Sequence, residues 1–244
     1  MESRIYGGKI AIDPCRVNTF FEQRACGDNP LASVMVRPAS DDGIAEKRNA
    51  NEAALVRALL GGRGLLRVLD LGCGAGRWVA NLEGRILSYA GVDFTEQYIR
   101  AAGNAYADRK EVTFHHRPVT DLPRAVAERR YDLVIVNGLC VYLNDEDVEI
   151  VLDYAGALLA EGGLLYFRES VATIGERLTL KEFFSRELQT EYNAVYRTPE
   201  EYELMFADKL PAFSTLSSGY LLDESTGAYK ETNQKHWLLE KAPA

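Results

Sequence analysis

From about residue 45 the chain alternates short apolar runs with stretches of helical spacing, and that alternation leaves few folds open. GIAEKRNANEAALVRALL (43–60) carries apolar residues at helical intervals and is ended by glycines at 61, 62 and 64. LLRVLDLG (65–72), ILSYAGVDF (86–94), VTFHHRP (112–118), YDLVIVNG (131–138) and GGLLYFRES (162–170) read as strands. EQYIRAAGNAYA (96–107) and DEDVEIVLDYAGALLA (145–160) read as helices between them. Runs this apolar fit strands covered on both faces, the condition of a parallel sheet with helices on either side.

After Ser170 the rhythm changes. RLTLKEFFSRELQTEYNAVYR (177–197) is aromatic and charged, and TPEEYELMFADKL (198–210) begins with a Thr cap and a Pro at the first helical position. FSTLSSGYLL and KHWLLEK, joined by DESTGAY, read as a closing hairpin. The expected fold class is α/β, a Rossmann-like doubly wound seven-stranded sheet, mostly parallel with an antiparallel C-terminal hairpin. Four parts are expected: an N-terminal lid segment (1–44), an α/β core (45–170), an inserted helical and aromatic substrate lid (171–210), and the hairpin (211–244).

The first expected strand runs directly into Asp70-Leu71-Gly72-Cys73-Gly74-Ala75-Gly76-Arg77. Alternating glycines at a strand-to-helix turn let backbone pass close to a ligand where a Cβ would collide. Asp93 ends the next strand, where a carboxylate can accept hydrogen bonds from both hydroxyls of a ribose. A dinucleotide fingerprint would need a glycine where this chain has Arg77. The spacing suits a nucleoside carrying an amino acid better than one carrying a pyrophosphate.

LDLGCGAGR (69–77), GVDF (91–94), RPVTDLP (117–123), YDLVIVNGLCVYL (131–143) and EGGLLYF (161–167), in this order, resemble the class I S-adenosylmethionine-dependent methyltransferases. The resemblance covers roughly residues 45–170 and the terminal hairpin. It implies that Gly72, Cys73 and Gly74 line the methionine portion of S-adenosyl-L-methionine by backbone contacts, with Asp70 among the cofactor-binding residues, that Asp93 holds the ribose, and that Phe94 lies against adenine. Val119 and Thr120 would meet the adenine edge through backbone, while Asn137 and Leu139 border the sulfonium. Arg77 resembles the arginine that pairs with the methionine carboxylate, with Arg24 and Arg48 as rivals. Where many members have an acidic or small polar residue this chain has Pro118, which leaves the adenine amino group to Asp121 or to backbone.

Glu169 falls at the carboxyl end of a strand, where ligands bind in open α/β sheets. It is expected to act as base or orienter, with Tyr142 and Tyr192 behind it; the alternative is a salt bridge with Arg168, Arg177 or Arg197. Tyr6, Phe20, Arg168, Tyr196 and Arg197 are the candidate substrate contacts, the first two as aromatic shields of the sulfonium. The expected function is N- or O-methylation of a small polar metabolite such as an amino sugar, a sugar or an amine-containing biosynthetic intermediate. The alternatives are methylation of a protein terminus or RNA, and a non-catalytic binding protein.

A formal net charge of -8 argues against nucleic acid as partner. Cys15, Cys26, Cys73 and Cys140 show neither metal-ligand nor disulfide spacing, so no metal cofactor is expected and a reducing cytoplasm fits. His115 and His116 are expected on opposite faces of a strand. Asn144-Asp145-Glu146-Asp147 reads as the charged first turn of a helix. No apolar run reaches the roughly 20 residues of a membrane span, and the first residues lack the apolar core of a secretory signal. A small-molecule partner is expected, with homo-oligomerisation left open.

Overall fold

A computed structural model describes residues 3–27, 30–37, 43–223 and 230–243. Most of the expected DESTGAY turn, 224–229, lies outside the described residues. The helix α3 (Ile44–Leu60) leads into strand β2 (Leu66–Leu71), and the glycine turn follows. Then come α4 (Arg77–Asn81), β3 (Ile86–Asp93), α5 (Glu96–Ala105), β4 (Val112–His116), α6 (Arg124–Ala127) and β5 (Tyr131–Asn137). A short 3-10 turn (Cys140–Tyr142), α7 (Asp145–Leu158) and β6 (Leu159–Ala172) complete the core.

Together with β9 (Phe213–Tyr220) and β10 (Thr232–Lys241), these strands form one seven-stranded sheet in the order β4-β3-β2-β5-β6-β10-β9. The first five are mutually parallel, and β10 runs antiparallel to both β6 and β9. The expected mixed sheet with its terminal hairpin is what the chain forms. Because β3 and β5 flank β2 on opposite sides, the strand order reverses between β2 and β5, the place where open α/β sheets leave a crevice.

Both faces of the sheet are covered, as the continuous apolar runs require. Leu69, Leu71, Val134, Val136, Leu165 and Phe167 pack with Val148, Val151, Leu152, Ala155 and Leu158 of α7. The intervening Val68, Leu133, Ile135, Leu164 and Tyr166 pack with Val56 and Leu60 of α3 and with Trp78 and Val79. Burying each such large side chain contributes roughly 1.5–3 kcal/mol.

The segment expected as a helical lid is largely strand. β7 (Leu178–Ser185) and β8 (Thr190–Tyr196) pair antiparallel, and β1 (Arg4–Tyr6) adds to β7, giving a separate three-stranded sheet. Within 171–210 only α8 (Pro199–Lys209) is an α-helix, opened by Thr198, whose side chain and that of Glu201 form a reciprocal cap. Val, Thr, Tyr and Phe at 178–196 favour strands, and that preference outweighed the helical reading of the charges. The helix α1 (Pro14–Arg24) packs Val17, Phe20 and Phe21 with Leu178, Leu180, Tyr192 and Ala194 of the small sheet. β1 and α1 therefore form one body with β7 and β8, with α1 facing the carboxyl ends of the large sheet's strands.

Candidate active site

A cavity of about 990 Å³ opens at the reversal point, between the carboxyl ends of β2, β3, β5 and β6 and the face of α1. Its floor is the glycine turn. Gly72 and Gly74 hold φ of 75° and 53°, a region that only glycine enters freely. A Cβ on Gly72 would lie 3.0 Å from Leu139 Cδ1, and one on Gly74 would lie 2.8 Å from Val34 Cγ1. The turn is thus fixed by conformation and by close neighbours at once.

Asp93 sits directly against this turn. Its Oδ2 accepts the Gly74 amide at 2.9 Å and its Oδ1 accepts the Thr95 amide at 2.8 Å. Each carboxylate oxygen keeps a further acceptor site. Burial raises the pKa of Asp93, and the two amides oppose that rise. Asp70, at the end of β2 in the cavity wall, accepts a hydrogen bond from the Tyr89 hydroxyl, and burial raises it to about 7. Burial pushes the Cys73 thiol well up, so it stays protonated and unreactive.

Glu52 organises the opposite wall, and sequence reasoning missed it. Its Oε1 accepts Asn137 Nδ2 at 2.6 Å, the Tyr166 hydroxyl at 2.9 Å and Arg168 Nε at 3.0 Å. Its Oε2 accepts Arg77 Nη2 at 2.9 Å and Arg168 Nη2 at 3.2 Å. Burial opposes ionisation here, but the charges of Arg168 and Arg77 outweigh it and hold the carboxyl below its usual range. The signal for Glu52 was available: the buried stripe of α3 runs 45, 48, 52, 56, 60, and charged residues occupy two of those apolar positions.

Because a carboxylate can only accept, the bond to Glu52 fixes Asn137 with its nitrogen toward that residue. Asn137 Oδ1 is then a buried acceptor with no partner among the described residues, in the wall of the cavity. This orphan acceptor and the glycine cradle fit an adenosyl amino acid, whose ammonium donates and whose ribose hydroxyls donate to Asp93.

Asp70, Gly72, Cys73, Gly74, Arg77, Asp93, Phe94, Val119, Thr120, Asn137 and Leu139 all line this one cavity. Arg24 does not. Its guanidinium donates to the carbonyls of Ala32, Ser33 and Arg37, tying α1 to the segment that carries Val34. Arg48 is buried away from the cavity as well. Of the arginines expected to pair with the methionine carboxylate, Arg77 is the one that lines the cavity, together with Arg168. Asp121 stays outside, while Arg117, Pro118, Val119 and Thr120 line the cavity beyond Asp93. His116 lines the cavity and donates from Nε2 to the Phe94 carbonyl at 2.9 Å, whereas His115 does not line it.

The residues expected at the reaction centre need correction. Glu169 does not face the cavity: it is fully buried, and its carboxylate accepts the amides of Leu139, Cys140 and Val141. Side chains alternate along a strand, and its neighbours Arg168 and Ser170 are the ones that line the cavity. Of the expected Tyr142, Tyr192 and Tyr196, only Tyr142 lines it. The Tyr192 hydroxyl stands 3.0 Å behind that of Tyr142, and Tyr196 stands behind Tyr192 at 3.4 Å.

Tyr6 is exposed and donates to Glu231 at 2.9 Å, far from any shielding role. Phe20 turns toward Tyr192, and its neighbour Phe21 takes the cavity position instead. Arg197 is fully buried on Asp145 and on the carbonyls of Cys140 and Leu143. Asp145 in the first turn of α7 also pairs with Arg177. Among the described residues, no three His, Cys, Asp or Glu side chains group to hold a metal ion, and no helix is long and apolar enough to cross a membrane.

Residues 68–163 match the family model described as a methyltransferase domain. Phosphoethanolamine N-methyltransferase 1 of Zea mays is 26% identical over 234 residues, covering 91% of this chain and 43% of that protein. Ubiquinone biosynthesis O-methyltransferase of Rhizobium etli is 25% identical over 176 residues, covering 72% and 68%. The chain therefore spans less than half the length of the maize relative.

Among solved structures, phosphoethanolamine N-methyltransferase 1 of Haemonchus contortus, in complex with phosphoethanolamine and S-adenosylhomocysteine, superposes with a TM-score of 0.72. It is 22% identical, with 95% of this chain and 49% of that one covered. The [4+2]-cyclase SpnF superposes with a TM-score of 0.68 at 14% identity, covering 98% and 100%. These likenesses establish the fold, and the second of them shows that the fold also hosts other named activities.

Proposed function

We propose that this chain is a class I S-adenosylmethionine-dependent methyltransferase and that it methylates a nitrogen or oxygen of a small polar acceptor. The observation that carries the reading is the Asp93 carboxylate bonded to the Gly74 amide in the wall of a cavity large enough for two molecules. S-adenosylmethionine supplies an electrophilic methyl group on a sulfonium. The protein must then hold the donor, align the acceptor and exclude water.

Asp93 offers acceptors to the ribose, and Asn137 Oδ1 offers one to the ammonium. Arg77 and Arg168 share the carboxylate of Glu52, and both line the cavity as cations for the methionine carboxylate. At the acceptor end, burial pushes the Tyr142 phenol far above neutral pH, so its hydroxyl orients by hydrogen bonding and keeps its proton. Phe21 packs edge-on against Tyr142 at 4.8 Å and against Phe94 at 6.0 Å between ring centroids. Aromatic walls of this kind attract a cationic or partly cationic ligand. That preference, together with the relatives named for an amine substrate, favours an amine nitrogen as the acceptor atom.

The test is transfer of an isotopically labelled methyl group to a panel of amines, amino sugars and hydroxylated metabolites, with products read by mass. Label in an amine product is expected. Label recovered only in protein or RNA would favour the macromolecular reading, and donor binding with no transfer to any acceptor would favour a non-catalytic role.

A further inference from the structure

The backbone of the segment between β5 and α7 is held by two buried charges that lie outside it. Glu169 Oε1 accepts Leu139 N at 2.9 Å and Cys140 N at 2.8 Å, and Oε2 accepts Val141 N at 3.3 Å. Arg197, just past β8, donates from Nη1 to the Cys140 carbonyl at 2.7 Å and from Nη2 to the Leu143 carbonyl at 2.8 Å. Its Nε is anchored on Asp145 at 2.8 Å. Both side chains are 0% exposed. Burying a carboxylate and a guanidinium is costly unless each is fully hydrogen-bonded, and here every bond of Glu169 goes to this one loop.

Apart from Cys140, the loop's own side chains face the other way. Leu139, Val141, Tyr142 and Leu143 line the cavity, and Leu139 stands against Gly72. We propose that Glu169 and Arg197 are positioning residues, a two-charge clamp that sets the 139–143 backbone so that the cavity is shaped to take donor and acceptor. This rests on the methyltransferase reading of the cavity, although the clamp itself is a property of the fold.

The clamp is titratable from one side. Burial raises Glu169 to about 6, while the three loop amides and the charge of Arg168 oppose the rise. The other groups around it are Cys140 and Tyr142 on the loop and Tyr202 on α8, all pushed up by burial, and Arg197, which stays charged. Only the carboxylate changes charge between pH 5 and 8. With its pKa raised, it is ionised and the clamp intact above about pH 6; below that, protonation turns one acceptor oxygen into a donor facing an amide, and at least one of the three bonds is lost.

Amide hydrogen exchange of the full chain, corrected for intrinsic rates, reads the clamp directly. Between pH 7.5 and 5, protection at residues 139–141 should fall about tenfold in the wild type while amides in the middle of β5 keep theirs. Calorimetric affinity for S-adenosylhomocysteine should fall severalfold over the same range. Glu169→Gln should lower protection at Val141 and weaken S-adenosylhomocysteine binding at pH 7.5, and should remove the pH dependence of protection; the pH dependence of affinity that is left then belongs to Asp70, the cavity carboxyl raised to about 7. The proposal is overturned by pH-independent protection in the wild type. It is also overturned by a Glu169→Gln protein that loses thermal stability yet keeps wild-type affinity and pH profile. If S-adenosylhomocysteine binds at no pH, the methyltransferase reading fails, and the exchange data still decide the clamp.

Discussion

Replacing Asp93 with Ala should weaken S-adenosylhomocysteine binding by roughly a hundredfold to ten-thousandfold, because two hydrogen bonds to a charged acceptor are each worth about 1.5–3 kcal/mol. The loss has a second source within the protein. The same carboxylate ties the Gly74 amide to the Thr95 amide, so its removal frees the turn that forms the cavity floor. Asp93→Asn keeps one acceptor oxygen and should fall between the two, near a tenfold loss. Calorimetric titration separates these outcomes. Affinity unchanged in Asp93→Ala would remove the ribose assignment.

Glu52→Ala should produce the largest loss of stability of any single substitution at the site. It leaves the buried Arg168 and the part-buried Arg77 without the carboxylate that pairs them, and breaking a buried pair in this way costs about 3–5 kcal/mol. In a chain of this size that corresponds to a fall in Tm of roughly 10 °C. The carboxyl is held below its ordinary range, so its contribution is present above the unfolded pKa and is lost as pH falls into strong acid. Replacing Glu52 and Arg168 together by Met should recover only part of the loss, since the buried Arg168 charge is gone but Arg77 still lacks its carboxylate. A fall of under about 2 °C for Glu52→Ala, measured by thermal unfolding, would mean that the two guanidiniums find other partners or water.

The large sheet was legible because its strands are covered on both faces and its helices carry apolar residues at fixed intervals, a pattern that local sequence records directly. The glycine turn and Asp93 were legible for the same reason, each sitting at a strand end whose position the pattern fixes. The small sheet was not. The charges between Leu178 and Tyr196 resembled a helix surface, and pairing with β1, more than 170 residues away, is information that no window of sequence contains.

Side-chain direction was the other missing element. Placing Glu169 at a strand end was correct, but one residue of shift reverses the face, and Arg168 and Ser170 hold the cavity positions. Arg24 and Arg197 were chosen for their charge, which here holds backbone carbonyls in place. Glu52 was overlooked because an acid on an apolar stripe reads as an exposed helix residue until its two arginines are brought beside it by the fold.

Everything in this account depends on the cavity between the glycine turn and Asp93 accepting an adenosyl amino acid. Thermal unfolding of the wild-type protein with S-adenosylhomocysteine or with NAD tests that most directly. At a ligand concentration one hundred times its Kd, a native-state ligand adds about 2.7 kcal/mol, which for this chain length is a rise in Tm of roughly 5–10 °C. The account predicts that rise with S-adenosylhomocysteine and no shift with NAD. No protection by S-adenosylhomocysteine, or equal protection by both, would contradict it.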